Sequence, residues 1–207
     1  MRRILLCVLL CLAASAAGAA PTILVMGDSL SAAYGIETSQ GWVALLQERL
    51  KQRGYDYTVV NASVSGETTA GGLTRLPREL GQHRPVIVLL ELGANDGLRG
   101  TPVKVMQQNL GRMLALSSRA GAKTLLIGIL LPPNFGPQYT QDFSGAFQRL
   151  AASYKVPLLP FLLRGVAEHR DLMQADGLHP IAVAEPQVLD NVWPRLEPLL
   201  KKPAAPK

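Results

Sequence analysis

Short apolar runs alternate with longer amphipathic segments along most of this chain. The runs have the length of strands buried on both faces, and the segments have the 3.6-residue period of helices. The runs lie at residues 23–26, 57–60, 86–90, 124–131 and 156–159, and the helical segments at 42–53, 71–80, 102–119, 138–154 and 186–200, the last broken or bent at Pro194. This alternation predicts an α/β fold, a three-layer sandwich in which helices flank a parallel sheet of about five strands.

The chain contains no repeat and no linker that would divide these segments, so we predict one domain over residues 21–200, followed by a disordered tail at 201–207. Its 207 residues are 48% hydrophobic and 17% charged, which excludes a disordered or low-complexity chain. The formal net charge is +6 without a basic stripe interleaved with aromatic residues, so no nucleic-acid partner is expected. This charge favours a solvated surface, with weak contact to anionic membrane surfaces as the alternative.

Residues 1–20 have the pattern of a secretory signal peptide, in which two arginines precede an apolar run at 4–14 and small residues follow. The run is short for a membrane-spanning helix, although an uncleaved anchor is the alternative. Both cysteines, Cys7 and Cys11, fall in this segment, so the mature chain would have no disulfide. We therefore expect a periplasmic or secreted protein.

The first apolar run stops at Gly27 and is followed by Asp28 and Ser29. Polar residues at the carboxyl end of a strand lie where open α/β sheets bind their ligands. A serine in such a turn can present its hydroxyl to a cleft and its N–H to a developing anion. We interpret Ser29 as a candidate nucleophile, and an ordinary turn is the alternative.

A nucleophilic serine needs a base and a group that orients the base. The chain has three histidines. His83 precedes a strand and so lies at the opposite edge from Ser29, and His169 lies among charged residues typical of a solvated helix face. His179 follows Asp176 by three residues, which allows one loop to hold both groups. A capping aspartate beside a surface histidine is the alternative interpretation.

Stabilising an oxyanion requires hydrogen-bond donors at a third point of the site. The Ser29 N–H is available by position, Gly66 allows close approach of its backbone, and Asn95 offers a side-chain amide. The alternatives are a turn at Gly66 and a helix cap at Asn95.

These motifs occur in a characteristic order. They are Gly27-Asp28-Ser29-Leu30-Ser31, Gly66, Gly93-Ala94-Asn95-Asp96 and Asp176-Gly177-Leu178-His179. The order resembles that of the SGNH (GDSL) hydrolase family, which implies a flavodoxin-like fold with Ser29, His179 and Asp176 as the catalytic triad. The resemblance also implies that Ser29, Gly66 and Asn95 form the oxyanion hole.

Further stretches are similar to the bacterial periplasmic thioesterase, lysophospholipase and arylesterase branch of that family. They are Asn61-Ala62-Ser63, Glu91-Leu92-Gly93, Asn95 to Gly100, and Leu131-Pro132 with Asn134 and Gly136. This resemblance implies a serine esterase that hydrolyses acyl esters and thioesters. Such a mechanism needs neither a metal nor an organic cofactor, and we expect a monomer.

An acyl chain requires an apolar groove beside the nucleophile. The candidates for its lining lie on the loops that follow the predicted strands, and simple packing of those loops is the alternative role. The candidate lining residues are Leu30, Leu98, Pro133, Asn134 and Phe135. Two other functions stay open: an esterase that removes acetyl groups from an envelope carbohydrate, and a non-catalytic periplasmic binding protein.

Overall fold

A single sheet of five parallel strands forms the centre of the molecule, in the order β2-β1-β3-β4-β5. The computed structural model describes residues 20–201, so the predicted signal peptide and tail lie almost entirely outside the described residues. The strands are β1 (Thr22–Gly27), β2 (Thr58–Asn61), β3 (Ile87–Glu91), β4 (Lys123–Ile127) and β5 (Leu158–Leu159). The three inner strands are almost wholly buried, as their uninterrupted apolar runs predict.

Helices cover both faces of this sheet. They are α1 (Trp42–Gln52), α2 (Thr69–His83), α3 (Ala94–Leu98), α4 (Val103–Arg119), α5 (Pro137–Tyr154) and α6 (Glu185–Leu196). The packing of α2 on α4, of α4 on α5 and of α1 on α6 builds the outer layers. The predicted α/β three-layer sandwich is therefore confirmed. Among the described residues, no helix has both the length and the apolar composition to cross a membrane.

Two strands are shorter than predicted. The run at 124–131 leaves the sheet after Ile127, because its neighbour β3 ends at Glu91 and provides no further ladder partners. The rest of the run forms a loop in which Ile129 and Leu131 are buried while Leu130 is exposed. The last strand keeps two residues of the predicted four, and Pro157 just before it has no N–H to donate to a ladder.

Helices α2 and α6 also differ from their predicted bounds. Helix α2 begins at Thr69 and ends at His83, with its first turn capped by the Thr68 side chain, which accepts a hydrogen bond from the Gly71 N–H. Helix α6 is not broken at Pro194 but continues to Leu196, and a 3-10 turn follows at Glu197–Leu199.

The topology sets where a site can form. All five strands are parallel, so the loops after β1, β2 and β3 open on one edge of the sheet. Because β1 lies between β2 and β3, the turn that carries Ser29 has the Gly66 loop on one side and the Asn95 loop on the other.

Candidate active site

The turn after β1, here called the nucleophile turn (residues 27–31), is held by its own backbone and by Asp28. The Asp28 carboxylate accepts a hydrogen bond from the Leu30 N–H at 3.1 Å, and the Asp28 carbonyl accepts one from the Ala32 N–H at 2.9 Å. Asp28 is fully buried, whereas Ser29 is partly exposed at the carboxyl edge of the sheet. Ser29 thus lies where the sequence predicts.

His179 lies between Ser29 and Asp176. Its Nε2 is 2.8 Å from Ser29 Oγ, and its Nδ1 is 2.7 Å from Asp176 Oδ2. The other oxygen of Asp176 accepts hydrogen bonds from the backbone N–H groups of Leu178 and His179. The three residues are 150 positions apart in the chain at their widest, and the fold brings them into one hydrogen-bonded line.

The carboxylate of Asp176 is held in its charged form. Desolvation would raise its pKa, but hydrogen bonds from the Leu178 N–H, the His179 ring and the His179 N–H, with the charge of His179, lower the pKa to about 2. An ionised Asp176 can orient the imidazole and stabilise an imidazolium.

The two predicted oxyanion donors flank the nucleophile turn. Asn95 lies in the first turn of α3 and donates from Nδ2 to Asp28 Oδ2 at 3.2 Å. Gly66 is exposed in the loop after β2 and has φ of +79°, a conformation that favours glycine. Arg99 donates to the Gly66 carbonyl at 3.1 Å and so ties this loop to the one after β3.

Comparison with known proteins places this geometry in a family. Residues 25–183 match the GDSL-like lipase/acylhydrolase family. The chain belongs to this family. The resemblance predicted from the four motifs is therefore confirmed, and the family identifies the chain as a serine hydrolase acting on esters.

Named relatives of the family are similar over most of their length. The esterase TesA of Pseudomonas aeruginosa is 57% identical over 182 residues, covering 88% of this chain and 90% of that protein. The thioesterase 1/protease 1/lysophospholipase L1 of Escherichia coli K12 is 44% identical over 184 residues, covering 89% and 87%. The crystal structure of the esterase EstA from Pseudoalteromonas, inhibited by monoethylphosphonate, has a TM-score of 0.82 at 45% identity, covering 86% of this chain and 97% of that one.

Two residues that support His179 were missed by sequence reasoning. The ring of Tyr34 lies against the imidazole, with ring centroids 4.6 Å apart, and the tyrosine is 51% exposed. Gln174 donates from Nε2 to the carbonyls of Tyr34 and Pro180, and its backbone N–H donates to the His179 carbonyl at 2.7 Å. Neither residue belongs to a motif, and only their contacts across the fold reveal them.

A buried aspartate links the loop that contains Asn95 to the segment after the Gly66 loop. Asp96, next to Asn95, accepts hydrogen bonds from the N–H and the hydroxyl of Thr69, at 2.8 and 2.6 Å. Thr69 opens α2, directly after the Gly66 loop. This connection explains why α2 begins earlier than its apolar pattern indicates.

The other two histidines lie away from this arrangement. His83 is in the last turn of α2, where its ring is 3.4 Å from Glu79. His169 is exposed as predicted, but it precedes a short 3-10 turn at Arg170–Leu172 rather than lying on a helix face. Within residues 20–201, no group of three or more His, Cys, Asp or Glu side chains is placed to hold a metal ion.

The candidates for the acyl groove divide into two groups. Leu98, Pro133 and Asn134 are exposed, and Phe135 is half-buried against the core in a 3-10 turn at Pro133–Phe135. Leu30 is only 8% exposed and belongs to the hydrophobic core, which corresponds to the packing role that the sequence left open.

A groove of mixed polar and apolar lining lies beside the carboxyl ends of β4 and β5, and sequence reasoning missed it. Its volume is about 310 Å³, and Leu130, Phe147, Leu158 and Phe161 provide its apolar wall. Leu130, which lines the groove, is 47% exposed. The signal that could have indicated the groove is the break in the apolar run at Gly128.

Proposed function

We propose that Ser29, His179 and Asp176 are the catalytic triad with which this serine hydrolase cleaves acyl esters and thioesters. The observation that carries the proposal is the position of His179, within hydrogen-bond distance of both Ser29 Oγ and Asp176 Oδ2. With Nδ1 protonated and facing the carboxylate, Nε2 is free to accept the serine proton.

The reaction follows from these positions. His179 takes the Ser29 proton as Oγ attacks the acyl carbonyl, and the imidazolium, stabilised by Asp176, protonates the leaving alcohol or thiol. Water then attacks the acyl-enzyme with His179 again as base, which releases the acid and restores the serine. The oxyanion of each tetrahedral intermediate receives hydrogen bonds from the N–H groups of Ser29 and Gly66 and the amide of Asn95.

For the acyl chain we propose the exposed apolar residues of the carboxyl edge. Two sites are available there, the surface of Leu98 with Pro133, Asn134 and Phe135, and the groove of about 310 Å³ that contains Phe161. Both offer apolar side chains to a fatty acyl chain, although Ser144, Gln148, Arg164 and Glu168 also line the groove. The relatives named above as thioesterase, lysophospholipase and esterase support an acyl ester or thioester substrate.

The test is hydrolysis of p-nitrophenyl esters from acetyl to palmitoyl, and of one acyl-CoA, by the mature protein. We expect Ser29→Ala to fold normally and lose nearly all activity, whereas Ser118→Ala, an exposed serine on α4, keeps it. Phe135→Ala and Phe161→Ala on the same series identify the acyl site, since the substitution in that site shifts the chain-length profile.

Other outcomes would change the proposal. Activity in Ser29→Ala would remove Ser29 as nucleophile. Activity that depends on Ser29 but stops at acetyl would favour a carbohydrate O-acetyl esterase. No activity and no labelling by a serine-directed phosphonate would favour a binding protein.

We also propose export through a cleaved signal peptide at residues 1–20, supported by the basic start, short apolar run and small residues of that segment. The expected result is a mature protein in the periplasmic or external fraction whose first residue lies near position 20. An N-terminus at residue 1 would contradict it.

A further inference from the structure

A fully buried carboxyl lies directly beneath the nucleophile turn and has no part in the mechanism above. Glu91, the last residue of β3, is 0% exposed, and its register partner on β1 is Gly27. A Cβ on Gly27 would lie 2.7 Å from Glu91 Oε2 and 2.6 Å from Ser31 Oγ. Only glycine therefore leaves room for the Glu91 side chain to pass under the turn.

Glu91 holds the turn on both sides of Ser29. Its Oε2 accepts a hydrogen bond from Ser31 Oγ at 2.7 Å and a longer one from the Asp28 N–H at 3.3 Å. On the opposite flank, Asn61 at the end of β2 donates to the Ser31 carbonyl at 2.8 Å. Ser31 is thus fixed from both strands that neighbour β1, and Ser29 lies between two fixed residues.

The surroundings of Glu91 favour an uncharged carboxyl. No salt bridge of the described residues includes Glu91, and its Oε1 is buried without a hydrogen-bond partner. The ionisable group that faces it is another buried acid, Asp28. Burial, together with the charge of Asp28, raises the pKa of Glu91 well above its usual value.

We propose that Glu91, as a neutral carboxylic acid, is a positioning residue that fixes the nucleophile turn through Ser31 and Asp28. Burying a carboxyl without a countercharge destabilises the fold. The hydrogen bonds that Glu91 accepts beneath the reacting serine give a functional reason for its burial. The inference rests on the proposed role of Ser29. It extends that role by naming the group that holds the serine hydroxyl in line with His179.

The test compares substitutions that keep or remove the hydrogen bonds. Glu91→Gln has the same shape and still offers an oxygen to Ser31, so we expect kcat for p-nitrophenyl butyrate to stay within about threefold. Glu91→Leu and Ser31→Ala remove the contact, and we expect each to lower kcat by about 10- to 100-fold with KM nearly unchanged, because a misplacement of about 1 Å can cost about 100-fold. Ser31→Ala removes one hydroxyl only, so it carries the test if Glu91→Leu does not fold.

Rates are expressed per active site titrated with a serine-directed phosphonate, so that loss of folded protein alone leaves kcat unchanged. Two matched controls are expected to keep wild-type kcat: Ser117→Ala, a buried serine that donates to the Met113 carbonyl in α4, and Glu185→Gln, a buried glutamate on α6. The rate of phosphonylation should fall in parallel with kcat in Ser31→Ala.

Wild-type kcat in both Ser31→Ala and Glu91→Leu would overturn the positioning role. A loss in Glu91→Gln as large as in Glu91→Leu would overturn the neutral acid, because the charge would then be required. Ser29→Ala is measured beside them: activity in that variant refutes the proposed function, whereas an inactive Ser29→Ala with active Ser31 and Glu91 variants refutes this inference alone.

Discussion

The amide of Asn95 can serve an oxyanion in only one of its two orientations. A carboxylate accepts hydrogen bonds and donates none, so Asp28 selects the orientation in which Asn95 Nδ2 faces it at 3.2 Å. The second N–H on that nitrogen is then free for the substrate oxygen. If Asn95 is the oxyanion donor proposed above, Asp28 sets which end of its amide the substrate meets.

We expect Asn95→Ala to lower kcat by about 10²–10³, the usual effect of losing one oxyanion donor, with KM little changed. Steady-state kinetics on p-nitrophenyl butyrate measure it. A loss below about threefold would mean that the Asn95 amide does not contact the oxyanion.

Asp28→Asn should produce a similar loss without touching Asn95. Burial, opposed by hydrogen bonds from Leu30 and Asn95, raises the pKa of Asp28 to about 6, so at pH 8 the wild-type residue is a carboxylate. An asparagine can present its own N–H₂ group to Asn95 and turn the Asn95 carbonyl toward the substrate. Because both substitutions then remove the same donor, the double variant should lose no more activity than Asn95→Ala, and additive losses would contradict the shared cause.

At this scale the sequence predicts the residues that we propose carry the chemistry and misses those that hold them in place. Ser29 is recognisable from its position after a buried strand, and Asp176 and His179 from their three-residue spacing. Glu91 ends a strand, where a charged residue usually indicates solvent. Its burial depends on Gly27 and Ser31, about 60 positions away, so no local pattern predicts it.

Helix α1 begins with a cap supplied by a distant element. The N–H of Trp42, its first residue, donates to Glu185 Oε2 at 2.8 Å from the start of α6. A negative group suits a helix N-terminus, yet desolvation of this buried carboxyl dominates, and the pKa of Glu185 rises to about 7. The contact therefore joins α1 to α6, and the raised pKa of Glu185 makes the stability of the fold depend on pH.

The sign of that dependence follows from linkage. Between the ordinary pKa of 4.5 and about 7, Glu185 ionises in the unfolded chain but remains protonated in the native one, so its contribution to stability falls as the pH rises through this window. Glu185→Gln keeps an acceptor for Trp42 and removes the titration. We expect its Tm, relative to wild type, to increase by several degrees between pH 4.5 and pH 7, since each pKa unit is worth about 1.4 kcal/mol.

Thermal melts by circular dichroism at four or five pH values test this expectation. Glu48→Gln, at an exposed glutamate on α1, is the control and should follow the wild-type curve. A constant Tm difference between Glu185→Gln and wild type across the window would show that Glu185 does not titrate there.

Elements are predictable from sequence where their own residues decide them. The strands and the long helices α1, α4 and α5 follow from apolar period and from glycine or proline at their ends. The start of α2 does not, because Asp96 fixes Thr69 through tertiary hydrogen bonds. The end of β4 likewise depends on where its neighbour β3 stops.

Across the whole molecule, the proposed triad is divided between the turn after β1, which carries Ser29, and a separate loop that carries His179 and Asp176. The residues from 170 to 180 contain no helix or strand longer than three residues, and several are exposed. Gln174 joins this loop to the Tyr34 carbonyl, and Arg170 donates to the carbonyls of Gln174 and Ala175. A segment with few buried apolar contacts is expected to open before the core does.

We therefore expect esterase activity to disappear at a lower urea concentration than the far-ultraviolet circular dichroism signal, because opening of the loop removes the base while the sheet stays folded. Gln174→Ala should widen the interval between the two midpoints, since it deletes the link between the loop and Tyr34 but leaves the core intact. Gln141→Ala on α5 is the matched control and should leave the interval unchanged. Coincident midpoints in wild type would instead mean that the histidine loop and the sheet unfold as one cooperative unit, and the triad would then be as stable as the core that supports it.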